Sequence, residues 1–191
     1  MLEKIPHGVG RVLRGLRAGF EKVASERRTF SDVPDVIDLR SPAFEDGGSL
    51  QPRFTADGEG LSPPLSWAEV PAGTQALALL VEDPDAPTPT PLVHLLVWDL
   101  PPHLDNLPEG QFASLAHEGL VAASGGDAYQ PAAWLPPDPP PGHGPHLYVF
   151  QLFALDTRLS FDRPPGRSAF LAVIEGHVLA KGMLIATYAR A

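Results

Sequence analysis

Ala76-Leu77-Ala78-Leu79-Leu80-Val81-Glu82-Asp83-Pro84-Asp85-Ala86-Pro87 is a short apolar run that ends in an acidic, proline-locked corner. A run of this length without a polar residue reads as a β-strand buried on both faces, with Glu82 expected to end it. Pro84 and Pro87 hold φ at about −65° and remove two backbone donors, so the chain must leave the sheet as a stiff turn with its carboxylates outward. Past Pro89 and Pro91 it returns as Leu92-Val93-His94-Leu95-Leu96-Val97-Trp98, a second apolar strand with one imidazole near its start. Further on, Pro139-Pro140-Pro141-Gly142-His143-Gly144-Pro145 delivers His146 and Tyr148 to the opening of a third strand, Val149 to Leu155. Taken singly, an Asp-Pro corner is an ordinary turn and a strand histidine is ordinarily a satisfied core residue. Three such junctions together point to one pocket.

The surrounding composition favours the same architecture. Among 191 residues there are 23 prolines and 18 glycines, too many interruptions for ordinary helices to dominate. The expectation is an all-β-dominated chain, an antiparallel Greek-key β-sandwich with one C-terminal helix. Ser168 is expected to cap that helix over Ala169 to Ala180, with Gly182 closing it before a last strand, Met183 to Tyr188. Val36-Ile37-Asp38-Leu39 reads as an edge strand, Asp57-Gly58-Glu59-Gly60 as a turn, and residues 111–138 as a weakly patterned segment that wraps the pocket. There are no internal repeats.

Beyond these patterns, the chain from about residue 50 to 191 resembles the phosphatidylethanolamine-binding proteins, specifically their bacterial Raf-kinase-inhibitor-like branch. The resemblance rests on Leu61-Ser62-Pro63-Pro64-Leu65-Ser66-Trp67, Val70-Pro71-Ala72-Gly73-Thr74, the Asp83 to Pro87 corner, His94 with its strand to Leu100-Pro101, Leu107-Pro108-Glu109-Gly110, and the proline-rich block ending at Tyr148. It implies a small anion pocket near the surface lined by Asp83, His94, His146 and Tyr148, with Pro139 and Pro140 shaping its rim. Three departures bear on that pocket. Pro136 stands where the family has glycine and Asp138 precedes Pro139, while Leu147 replaces the usual arginine between the late histidine and tyrosine. Asp138 adds a carboxylate at the rim, which weakens binding of a doubly charged phosphate unless His94 and His146 are protonated.

Residues 1–28 carry seven Lys and Arg against three Glu, net +4, which leaves −13 for the rest of a chain whose total is −9. Leu2, Ile5, Val9, Val12, Leu13, Leu16, Phe20 and Val23 recur at helical spacing with the arginines opposite, so a basic amphipathic arm over 1–28 is expected ahead of a domain over 29–191. Gly8, Gly10, Gly15 and Gly19 each cost about 1 kcal/mol relative to Ala, leaving such a helix marginal by itself. Packing on the acidic body, a homodimer seam and an anionic membrane surface compete as its role, and the acidity of the body opposes the last.

Without cysteine, thiol chemistry and disulfides are excluded. No run approaches the roughly 18 to 20 apolar residues of a membrane span and no signal-peptide block precedes the domain, so a cytoplasmic location is the expectation. Net acidity argues against nucleic acid. A two-histidine, one-carboxylate metal site drawn from His94, His146 and Asp83 lacks supporting local spacing, and no Gly-x-Ser-x-Gly elbow supports a serine hydrolase. Neither metal nor cofactor is expected. The reading is a non-catalytic binder of phosphate-like or carboxylate groups, and the resemblance adds a protein kinase or protease as partner. In that reading Asp83 raises the pKa of His94 or His146 so that an imidazolium meets the anion. The alternatives are a small-ester hydrolase built on an Asp-His pair and an interaction protein acting through the arm.

Overall fold

Two adjacent β-strands inside the main sheet, Ala76–Asp83 and His146–Leu155, are buried almost throughout and organise the rest. The computed structural model describes residue 13, residues 15–114 and residues 133–190. Its strands are β1 (Asp38–Arg40), β2 (Gly48–Ser49), β3 (Leu65–Ala68), β4 (Ala76–Asp83), β5 (Leu92–Leu100), β6 (Asn106–Leu107), β7 (Ala113–Ser114), β8 (Ala133–Trp134), β9 (His146–Leu155) and β10 (Val178–Tyr188). The α-helix that lies wholly among the described residues is α1 (Arg167–Ile174). The main sheet runs β2-β10-β9-β4-β5, antiparallel except for the β10/β2 pair, and a second sheet runs β1-β3-β6. Strands β7 and β8 form a short parallel pair.

Period-two alternation sorts the side chains of β4 onto opposite faces. Leu77, Leu79 and Val81 join Leu39, Leu65, Trp67 and Leu107 of the second sheet in one apolar cluster. Ala78 and Leu80 join Phe170, Leu171 and Ile174 of α1, and Ala24 and Phe30 of the N-terminal segment, in another. The double burial expected for this strand is therefore present, and one face is covered by a sheet, the other by the helix and the N-terminal segment.

Several expectations need correction. Strand β4 does not stop at Glu82 but runs through Asp83, because the buried Glu82 carboxylate has partners: it accepts the Ala24 N–H at 2.8 Å and the Gln151 Nε2 at 2.9 Å, and pairs with Arg167. The C-terminal helix is shorter than expected. It starts after Gly166 without a side-chain cap and stops at Glu175, where Gly176 at φ 84° turns the chain. Residues 178–182, read as helix and cap, belong to β10. Gly182 serves a close approach instead, since a Cβ there would sit 2.2 Å from the Ile37 carbonyl oxygen.

The N-terminal arm is corrected over its described part; residues 1–12 and 14 lie outside the described residues. From Phe20 to Phe30 the chain makes three single 3-10 turns, Phe20–Lys22, Ala24–Glu26 and Arg28–Phe30, in place of a continuous α-helix. Val23 and Arg27 interrupt it in non-helical geometry. The physical reason is that specific tertiary bonds outcompete a marginal helix: Ser25 N–H donates to Gln151 Oε1 at 2.7 Å, and Lys181 Nζ donates to the Ser25 and Phe30 carbonyls at 2.8 and 3.2 Å. Val23, Ala24 and Phe30 are buried. Packing on the acidic body is thus the role observed for this stretch.

Candidate functional site

A β-bulge creates the site. Pairing between β4 and β5 aligns Val81 with Leu95 but Glu82 with Val93, so His94 is the extra residue. Simple alternation would send His94 to the face of Leu96 and Trp98; the bulge turns it onto the opposite face, against Tyr148 and Trp134. Its ring meets that of Tyr148 edge-on at 5.0 Å between centroids. Asp83 arrives on the same side from the end of β4, opposite in direction to Glu82, and His146 and Tyr148 share a face of β9 because they are two residues apart.

Asp83, His94, His146 and Tyr148 therefore do converge, all at most 3% exposed. Asp83 Oδ1 accepts the Asp85 N–H at 2.8 Å, and Oδ2 lies 2.7 Å from His146 Nδ1 and 4.0 Å from His94 Nε2. Asp85 Oδ2 accepts the Leu147 N–H at 2.7 Å, which ties the corner to the opening of β9. The stiff Pro84-Asp85-Ala86-Pro87 turn thus positions two carboxylates, one inward and one at the mouth.

His94 and Tyr148 are the two groups with capacity to spare. His94 Nδ1 lies 2.6 Å from the Leu135 carbonyl, which can only accept, so Nδ1 carries the hydrogen and Nε2 of the neutral ring is a bare acceptor. That Nε2 and the Tyr148 hydroxyl are buried with no hydrogen-bond partner. Burial lowers the pKa of His94, with Asp83 and the Leu135 carbonyl acting in the opposite direction. The expected upward shift from Asp83 is thus overridden by desolvation. Burial likewise raises the Tyr148 pKa well above that of a free phenol, with Asp83 adding to the effect, so its hydroxyl remains a donor.

His146, by contrast, has both ring nitrogens engaged: Nδ1 faces Asp83, and Nε2 lies 2.7 Å from Nδ1 of His143. His143, fully buried, was quoted in the proline-rich block but given no role. The signal was its i, i+3 spacing from His146 across a Gly-Pro turn. Gly142 at φ 80° and Gly144 at φ 101° supply the left-handed backbone that folds His143 back onto His146. Its outer nitrogen, Nε2, lies 2.9 Å from the Leu13 carbonyl.

The rim departs from the sequence reading in its electrostatics. Asp138 is not an uncompensated acid: Arg190 pairs with it and with Asp57, whose oxygens lie 2.6 to 3.0 Å from the guanidinium, while Tyr188 donates to Asp57 at 2.6 Å. Burial works against the Arg190 charge, but Asp57 and Asp138 hold its pKa above the ordinary value. The hydrogen bond from Arg190 in turn lowers the Asp57 pKa. Pro139 and Pro140 are buried, their carbonyls accepting from Arg190 at 3.3 Å and from the His143 N–H at 3.1 Å. No sequence spacing signalled Arg190, which reaches this loop across 52 residues.

Comparison with known proteins matches residues 40–189 to the family model described as phosphatidylethanolamine-binding protein. A UPF0098 protein of Methanothermobacter thermautotrophicus is 36% identical over 155 residues, covering 81% of this chain and 99% of that protein. One from Chlamydia trachomatis is 34% identical over 156 residues, covering 80% and 98%. Among solved structures, a phosphatidylethanolamine-binding protein homologue from Chlamydia trachomatis superposes with a TM-score of 0.68 at 31% identity, covering 82% of this chain and 99% of that one. YbcL of E. coli, described as a member of the mammalian family, gives 0.69 at 25% identity, covering 81% and 99%.

Proposed function

Because this chain belongs to the phosphatidylethanolamine-binding protein family, we propose that it is a binding protein whose pocket takes a singly protonated phosphate-like group between Tyr148 and His94. The observation that carries the reading is the pair of buried, unpartnered atoms, Tyr148 Oη and His94 Nε2. Leaving such atoms unpaired costs about 1–3 kcal/mol each, which a ligand of matching chemistry recovers. Tyr148 offers a donor to an anionic oxygen. His94 Nε2 offers an acceptor to a P–O–H, equivalent in proton count to an imidazolium facing an anionic oxygen. The neutral ring selects against the fully ionised ligand, since Asp83 Oδ2 stands 4.0 Å from Nε2 and repels a second negative charge.

The sign of the pH dependence follows. The bound state holds one proton between ligand and His94; a phosphomonoester, whose second ionisation lies near pH ~6, must regain that proton at higher pH. Affinity for phosphoethanolamine is expected to fall between pH 6 and 8, by no more than the roughly 50-fold that one linked proton with a pKa of ~6 allows. Calorimetric titration at both pH values checks this, with Tyr148→Phe and His94→Asn for comparison. The Asn amide retains a donor toward the Leu135 carbonyl while removing Nε2, and each variant is expected to bind at least tenfold more weakly at pH 6. Equal affinity in wild type and both variants at pH 6 would sink the reading.

A further inference from the structure

The hydrogen-bond chain Asp83, His146, His143, Leu13 contains a proton count that the site alone does not explain. Three contacts, at 2.7, 2.7 and 2.9 Å, each need one hydrogen. The last ends on a carbonyl, which brings none. An ionised carboxylate and two neutral imidazoles supply only two, so with Leu13 in place the chain must hold one proton more. We propose that Leu13 and Arg17 form an intramolecular stopper over the anion pocket, seated by uptake of that proton, and that seating and anion binding exclude each other. This rests on the anion-pocket reading and adds its regulation.

Residues 13–30 precede the family match at residue 40, so the closing element is supplied from outside the matched domain. Its grip is local. Arg17 pairs with Asp85 at the mouth and donates to the Pro145 carbonyl at 3.2 Å, Ala18 N–H donates to the Ala86 carbonyl at 3.0 Å, and Gly19 N–H to that of Pro84 at 2.9 Å. Gly15 and Leu16 are exposed, whereas Val23 to Ser25 are buried against the sheet, with Gly19 at φ 107° between the two regimes. The stopper is therefore lightly held on a firm anchor. With it seated, Asp83, His94, His143, His146 and Tyr148 are all buried, and the stopper's own contacts lie on His143 and on Asp85 at the corner.

The charged and titratable groups around His143 are Asp83 and Asp85 from the corner, His146 and Tyr148 from β9, His94 from β5 and Arg17 from the N-terminal segment. Burial lowers the His143 pKa, the Leu13 carbonyl opposes that, and Arg17 reinforces it. Release of Leu13 frees the extra proton, so seating is complete at low pH and lost as pH rises.

The test is amide hydrogen exchange at Ala18 and Gly19 in the full-length chain at pH 6 and 8, corrected for intrinsic exchange, with and without phosphoethanolamine. Protection is expected to fall at least tenfold from pH 6 to 8 and to fall when phosphoethanolamine is added at pH 6. Arg17→Ala is expected to lose protection, bind phosphoethanolamine several-fold tighter and show a steeper pH dependence of binding; Arg28→Ala is expected to match wild type. His143→Gln, whose amide can donate to Leu13 without titrating, is expected to give equal protection at both pH values. Protection in wild type that ignores both pH and ligand overturns the stopper. If phosphoethanolamine binds neither wild type nor Arg17→Ala, the anion reading fails separately, and the pH dependence of protection alone decides whether the seat is proton-held.

Discussion

Tyr148 sets the proposed function against stability in one atom. Its ring is packed between β9 and His94, while its hydroxyl is buried without a partner. Tyr148→Phe removes that orphan group and keeps the packing, so the variant is expected to be about 1 kcal/mol more stable in chemical denaturation, although it binds anion poorly. A loss of stability would mean that the hydroxyl is satisfied in the free protein. Tyr148, Asp83, His94 and His146 were legible in the sequence because each stands at a loop-strand junction, where proline-stiffened turns repeat. The donor and acceptor roles were not. Which nitrogen of His94 is bare depends on the Leu135 carbonyl, 41 residues away, and the direction of its pKa depends on burial outweighing Asp83. Neither quantity has a local sequence signature.

The strand β4 and the N-terminal segment meet through Glu82. Its carboxylate is fully buried and is satisfied by Ala24, Gln151 and Arg167, the last also donating to the Lys22 carbonyl at 2.5 Å. Glu82→Ala leaves a guanidinium and a backbone N–H without their partner at the anchor of that segment. The expected cost is about 3–5 kcal/mol, read as a shift of the urea midpoint with unchanged slope. A cost below about 1 kcal/mol would show that the anchor is apolar, carried by Val23, Ala24 and Phe30. This element also explains why the helical periodicity of residues 1–28 misled over its described part. Of the expected stripe Val23 is buried but Leu16 is exposed, and Gln151, Glu82 and Lys181 bind the backbone groups of residues 24, 25 and 30, which favours 3-10 turns over a continuous helix. Similarly, the bulge at His94 cannot be read from alternation in β5 alone, since it is defined by the register against β4. The apolar strands themselves were legible because double burial leaves an uninterrupted hydrophobic run.

At the scale of the whole molecule, a chain of net charge −9 presents an unfavourable field to the ligand proposed for it. The attraction must come from the pocket, through the Tyr148 hydroxyl and the proton shared with His94, over distances well inside the ~8 Å Debye length of physiological salt. The repulsion comes from the body and acts over longer range, so added salt screens it preferentially. Association of inorganic phosphate, a net anion without a compensating ammonium, followed by NMR line shape at pH 6, is therefore expected to quicken several-fold between low and physiological ionic strength, while dissociation changes little. This is opposite to the slowing seen where a basic surface steers an anion. Slowing on addition of salt would place a net positive field at the pocket mouth. The cations paired around the pocket among the described residues are Arg190, held by Asp57 and Asp138, and Arg17, which Asp85 neutralises while the stopper is seated. Arg17→Ala extends the same test: removal of this cation is expected to leave the direction of the salt effect unchanged, because the −9 body, and not the arginine, sets the approaching field.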